Sequence, residues 1–127
     1  MYTYDYDFSF SPAMAVVTVE VTNLERSQTP LQLTAMLDSG SDGTMIPLAH
    51  LRTIKARRAG QVIMRSITGA RNIVDIYEVA LRIGPHSFLY VRVAADKHNE
   101  LIVLGRDVLN QMRVMLNGLA VTTEIYE

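Results

Sequence analysis

Cysteine is absent from the 127 residues, which removes disulfide scaffolds, thiolate zinc sites, iron–sulfur clusters and thiol nucleophiles together. Histidine is scarce: His50, His86 and His98 stand apart, with no metal-ligand spacing among them. There is no basic surplus. Lys plus Arg is 12 and Asp plus Glu is 13, so a phosphate backbone, and with it nucleic acid, is excluded as the partner. Long apolar runs are missing too. The longest uncharged stretch, Phe8 to Val19, is well short of the roughly 18 residues a membrane helix needs. The first Lys or Arg is Arg26, so a secretory signal with a basic start is not expected. The expectation is a cytoplasmic protein with no membrane partner.

What is present suits one packed domain. Apolar residues make up 49% and charged residues 20%, enough to build a core and too apolar for disorder. The periodicity is two rather than 3.6. Val17, Val19 and Val21 alternate with Thr18, Glu20 and Thr22, which predicts a half-buried strand. Leu31, Leu33 and Ala35 alternate with Gln32 and Thr34 and lead into Leu37-Asp38. Further strands are expected over Val62 to Ile67, Ile73 to Ile83 and Phe88 to Val93. Asn117-Gly118 lies between two such runs and predicts a type I′ hairpin. Helical signals are short. Pro47 to Ile54 fits one or two turns, and Asp107 is placed to cap Val108 to Met112. Lys55, Arg57 and Arg58 read as a solvated surface turn. Strands spaced by turns, with little helix, make an all-β barrel or sandwich.

One segment carries chemistry. Leu33 to Leu37 is a hydrophobic strand that delivers Asp38 into the small-residue turn Ser39-Gly40-Ser41-Asp42-Gly43. Gly40 admits a close backbone or ligand, and the hydroxyls of Ser39 and Ser41 can orient a carboxylate without competing for its charge. Asp-Ser-Gly and Asp-Gly are also ordinary turn compositions. A calcium loop is rejected. Asp38, Asp42 and Gly43 match positions of that loop, but Gly40 and Ala49 stand where two oxygen ligands belong. Far downstream, the apolar run Leu101 to Leu104 ends in Gly105-Arg106-Asp107, followed by Val108-Leu109.

The two segments, in this order, resemble the retropepsin family of single-domain aspartic proteases related to the retroviral enzymes, most closely its bacterial members. The resemblance covers residues 14 to 125 of a single 1–127 domain. It implies an all-β, retropepsin-like closed barrel with a flap hairpin and one short C-terminal helix. Val62 to Ile83 looks like the flap, with its tip at Thr68, Gly69, Ala70 and Arg71.

The implied activity is that of an aspartic endopeptidase. Two carboxylates about 3 Å apart share a proton, one activating water while the other protonates the scissile carbonyl. The sequence holds one Asp-Ser-Gly, so the second Asp38 must come from a second copy of the chain, and the implied partner is itself. The family pattern gives Asp38 the catalytic role. Ser39, Gly40 and Ser41 support the active-site loop, and Asp42 lies along the substrate backbone and pairs with Arg106 as a brace. Peptides or proteins are the implied substrates, and no metal or cofactor is implied. The non-enzymatic alternative is a retropepsin-like module for dimerisation or peptide binding, since fold alone does not fix function.

Overall fold

The computed structural model describes residues 1–127. The chain runs β1 (Tyr2–Asp5), β2 (Val16–Thr22), β3 (Leu31–Leu37), β4 (Met45–Pro47), α1 (Leu48–Thr53), β5 (Arg57–Arg65) and β6 (Arg71–Ile83). It continues through β7 (His86–Asp96), β8 (Ile102–Leu104), α2 (Arg106–Leu109), β9 (Val114–Asn117) and β10 (Thr122–Ile125). Six strands close a mixed barrel in the order β2-β3-β8-β4-β7-β6, and β6 returns to β2 through Glu20↔Arg82, Val21↔Leu81 and Thr22↔Ala80. The all-β retropepsin-like fold expected from the sequence is the fold observed.

Alternation explains the strand faces. Val17, Val19 and Val21 point into the core while Thr18 is exposed, as a period of two requires. The core gathers Val17, Ile46, Leu51, Val79, Val93, Leu104 and Ile125 from along nearly the whole chain. Each such side chain contributes roughly 1.5–3 kcal/mol by leaving water. No helix is long and apolar enough to cross a membrane.

Strand β6 serves two structures at once. Its last residues close the barrel, while Arg71 to Asp75 pair only with β5. That two-stranded ribbon is the flap hairpin, turned by Ser66 to Ala70. The ribbon starts earlier than the apolar pattern suggested, because Arg57 and Arg58 belong to β5. Their guanidinium groups meet Glu78 and Asp75 across the pair at 2.9 and 3.0 Å, so cross-strand charge pairing makes strand out of the expected surface turn.

A separate sheet, β1-β10-β9, joins the chain ends, with Tyr2 opposite Ile125 and Ile125 opposite Val114. The Tyr2 ring lies on Gly84, where a Cβ would stand 3.2 Å from it and where φ is +55°. A tight turn in the left-handed region under an aromatic ring suits glycine on both counts. The β9–β10 hairpin departs from expectation. Thr122 pairs with Asn117 across a four-residue loop, and Val121 rather than Gly118 takes positive φ, at 50°. The Asn117 side chain accepts the Ala120 N–H at 3.1 Å, which favours the wider loop over a two-residue turn.

Candidate active site

The Asp38 loop is held from below and from the side. The Asp38 N–H donates to the Leu104 carbonyl at 2.9 Å, extending the parallel β3–β8 ladder by one bond. The carboxylate oxygen Oδ1 accepts the Gly40 N–H at 2.9 Å, and the Ser41 N–H donates to the Asp38 carbonyl at 3.1 Å. Asp38 is half-buried and in no ion pair, so its charge is answered by backbone N–H rather than by a cation. Ser39 and Gly40 are exposed beside it. Ser41 turns inward, its hydroxyl donating to the Gly43 carbonyl at 2.7 Å, and this shapes the turn rather than touching the Asp38 carboxylate.

The downstream motif locks this loop from the other side. The Arg106 N–H donates to the Ser41 carbonyl at 2.8 Å, and Arg106 Nη1 donates to the Ser39 carbonyl at 2.7 Å. Thr44, almost fully buried, sits between the motifs. Its hydroxyl donates to Asp107 Oδ1 at 2.7 Å and accepts the Gly105 N–H at 3.1 Å, while its own N–H donates to Asp107 Oδ2 at 3.1 Å. Gly105 passes so close that a Cβ there would lie 2.5 Å from the Gly43 oxygen.

Two expectations change. Asp42 and Arg106 form no ion pair: Asp42 is exposed, and the guanidinium is engaged by the Ser39 carbonyl. The brace between loop and helix therefore runs through Ser39, Thr44 and Asp107. Asp107 lies inside α2, which begins at Arg106 after Gly105 at the cap position; its carboxylate does accept the Val108 N–H at 2.9 Å, as expected, but shares it with the Thr44 hydroxyl and N–H. Sequence reasoning passed over Thr44 and gave Gly105 no role beyond ending a strand. The available signal was a small hydroxyl residue after Asp-Gly, facing a distant Gly-Arg-Asp.

The flap residues lie apart from this cluster. Thr68, Gly69 and Ala70 form the ribbon's end, with the Gly69 N–H on the Ser66 carbonyl at 2.9 Å and the Ser66 and Thr68 hydroxyls 2.7 Å apart. Arg71 is not in the tip but opens β6, paired with Arg65. No hydrogen bond joins this tip to the Asp38 loop. Between the ribbon and the segment after β7 lies a cavity of about 370 Å³, floored by Met45, Val74 and Ala95. Beside it, Asp96 shapes the loop. Burial pushes its carboxyl up, but the His98 and Asn99 N–H groups and the Asn99 amide outweigh that and hold it below the ordinary carboxylate range.

The family whose sequence pattern matches is described as retroviral aspartyl protease, and the match spans residues 12–117. No curated protein matches the chain. Among solved structures, a retropepsin-like aspartic protease from Rickettsia conorii is similar with a TM-score of 0.68 and 9% identity, covering 98% of this chain and 88% of that one. EIAV protease, solved with the inhibitor HBY-793, gives 0.61 at 17% identity over 85% of this chain and 93% of its own. Simian foamy virus (mac) protease gives 0.54 at 20% identity over 75% and 91%. At such identities these likenesses are of fold.

Proposed function

Because the chain belongs to the retroviral aspartyl protease family, we propose that it is an aspartic endopeptidase that acts as a homodimer on extended peptides, each chain contributing one Asp38. The observation that carries the reading is the Asp38 loop. A half-buried carboxylate at a strand end, free of cations and fixed through backbone bonds to a second motif, is preorganised for proton transfer. In the proposed reaction, water between the two Asp38 groups gives a proton to the ionised carboxylate as its oxygen attacks the scissile carbonyl carbon. The protonated carboxyl gives its proton to the carbonyl oxygen. The tetrahedral diol collapses, the C–N bond breaks, and the amine leaves with a proton returned from the dyad.

Ser39, Gly40 and Ser41 keep the two loops in register, and the ribbon from Gln61 to Asp75 closes over substrate. Asp42 lies along the substrate backbone. The same reading takes residues 1–127 as one domain in the cytoplasm.

The test is an Asp38→Asn exchange assayed on a peptide library from about pH 3 to 8, with the mass of the assembly measured alongside. The wild type should cleave as a dimer. The Asn variant should keep its fold and mass while losing about 10³-fold or more in turnover, the scale at which a general acid or base contributes. Cleavage retained in a clean D38N preparation refutes the assignment. Peptide binding without cleavage by the wild type leaves a dimerisation or peptide-binding module.

A further inference from the structure

The cavity beneath the flap ribbon has a charge pattern that the catalytic reading does not use. At about 370 Å³ it falls among small-ligand pockets, about 300–1,000 Å³, and far above the roughly 30 Å³ share of one water. Strands β4 and β8 connect it to the Asp38 loop. Met45, on its floor, pairs with Val103, whose neighbour Leu104 holds the Asp38 N–H.

Four charged side chains line it, two of each sign: Asp75, Asp96, Arg65 and Lys97. The carboxylates are already engaged. Asp75 Oδ1 accepts from Arg58 at 3.0 Å and Gln61 at 3.1 Å. Asp96 is buried, with Oδ1 on the His98 and Asn99 N–H groups and Oδ2 on the Asn99 amide at 2.9 Å. The two lining cations are held more loosely, with Lys97 only within coulombic reach of Asp75. Neither Arg65 nor Lys97 takes part in any ion pair or side-chain hydrogen bond of the chain, and both are exposed. With Arg58 answering Asp75, three cations stand against two carboxylates, so the charge about the pocket is positive by one, over an apolar floor.

Resting on the peptidase reading, we propose that this cavity receives an acidic side chain of the bound peptide. Glutamate fits best, its methylenes on Met45, Val74 and Ala95 and its carboxylate at the Arg65–Lys97 rim. A basic side chain would meet two like charges while the nearby carboxylates are occupied, which is the repulsive half of a specificity device.

The experiment uses the full chain carrying Asp38→Asn, so that binding is read without turnover. Otherwise identical peptides carrying Glu, Gln or Lys at each position in turn are titrated by calorimetry at low and high salt. One position should favour Glu over Gln about fivefold, as two partly exposed charge pairs allow, with the preference fading in salt. The added pair R65E/K97E should reverse it toward Lys, and R65Q/K97Q should abolish it, with far-UV circular dichroism unchanged in both. No acidic preference at any position, a preference indifferent to both charge changes, or no peptide binding at all overturns the proposal. Cleavage by the wild type separates the two readings. Cutting without acidic preference sinks the pocket alone, and Glu-selective binding without cutting sinks the peptidase reading alone.

Discussion

Gly105 is where the two motifs press hardest on each other, and Gly105→Ala measures that contact. Its φ is −90°, a value any residue adopts, so the change adds no backbone strain of its own. The added methyl would lie 2.5 Å from the Gly43 oxygen, 2.6 Å from the Gly43 carbonyl carbon and 2.9 Å from the Ser41 oxygen. These are backbone atoms with no rotamer to turn, so one strand end must move. Movement loosens the Gly105 N–H to Thr44 bond and the Arg106 N–H to Ser41 bond, now 3.1 and 2.8 Å. Overpacking costs about 1–3 kcal/mol and each of the two loosened bonds about 0.5–1.5 kcal/mol, for a destabilisation of about 2–6 kcal/mol. That is a large share of the roughly 5–15 kcal/mol that holds a domain together. Urea unfolding followed by far-UV circular dichroism, at one fixed protein concentration, gives the number directly. Peptide cleavage should fall with it, because the displaced atoms carry the Asp38 turn. A G105A variant within about 0.5 kcal/mol of wild type would show that the two motifs are not in rigid contact and would refute the lock.

Thr44→Val keeps the side-chain shape but removes one of the three donors to Asp107 and leaves the buried Gly105 N–H without an acceptor; a loss of about 2–4 kcal/mol is expected in the same unfolding assay, with Thr44→Ser recovering most of it. Asp96 predicts a pH dependence. Its folded-state pKa lies below the unfolded one, so its contribution is complete above about pH 4 and is lost as pH falls through the folded value. Thermal melts of wild type should therefore drop more steeply below about pH 4 than those of Asp96→Asn, and parallel curves for the two would contradict the bonding of the 96–99 loop.

Much of this could be read before any coordinates. Val17, Val19 and Val21 announce β2 because their face is wholly buried while Thr18 is exposed and Glu20 half-exposed between them. Asp38-Ser39-Gly40 and Gly105-Arg106-Asp107 point to each other only as an ordered pair, and the structure places their backbones in direct hydrogen-bond contact. What stayed hidden depended on partners distant in sequence. Arg57 and Arg58 look like a turn until Glu78 and Asp75 lie across from them. Asp107 reads as a purely local helix residue, yet Thr44, 63 residues earlier, shares its carboxylate with the Val108 N–H. Asn117-Gly118 carries a strong local turn signal, yet the register of β9 against β10 selects a wider loop. The pairing of β1 with β10 is a contact between opposite chain ends, which no local window contains.

The double duty of β6 sets up a gradient of local stability along one strand. Ile76 to Glu78 pair with both β5 and β7, and Leu81 and Arg82 with both β2 and β7, whereas Arg71 to Asp75 have a single neighbour. A two-stranded ribbon by itself is marginal in water. Both ladders slip register near this junction, between Arg58 and Gly60 on one side and between Val79 and Leu81 on the other. The arm outboard of Ile76 can thus bend and exchange its amide protons with solvent while the inboard half stays protected. The same thirteen residues serve as a fixed stave at one end and a swinging lever at the other, with the fulcrum built from two skipped rungs.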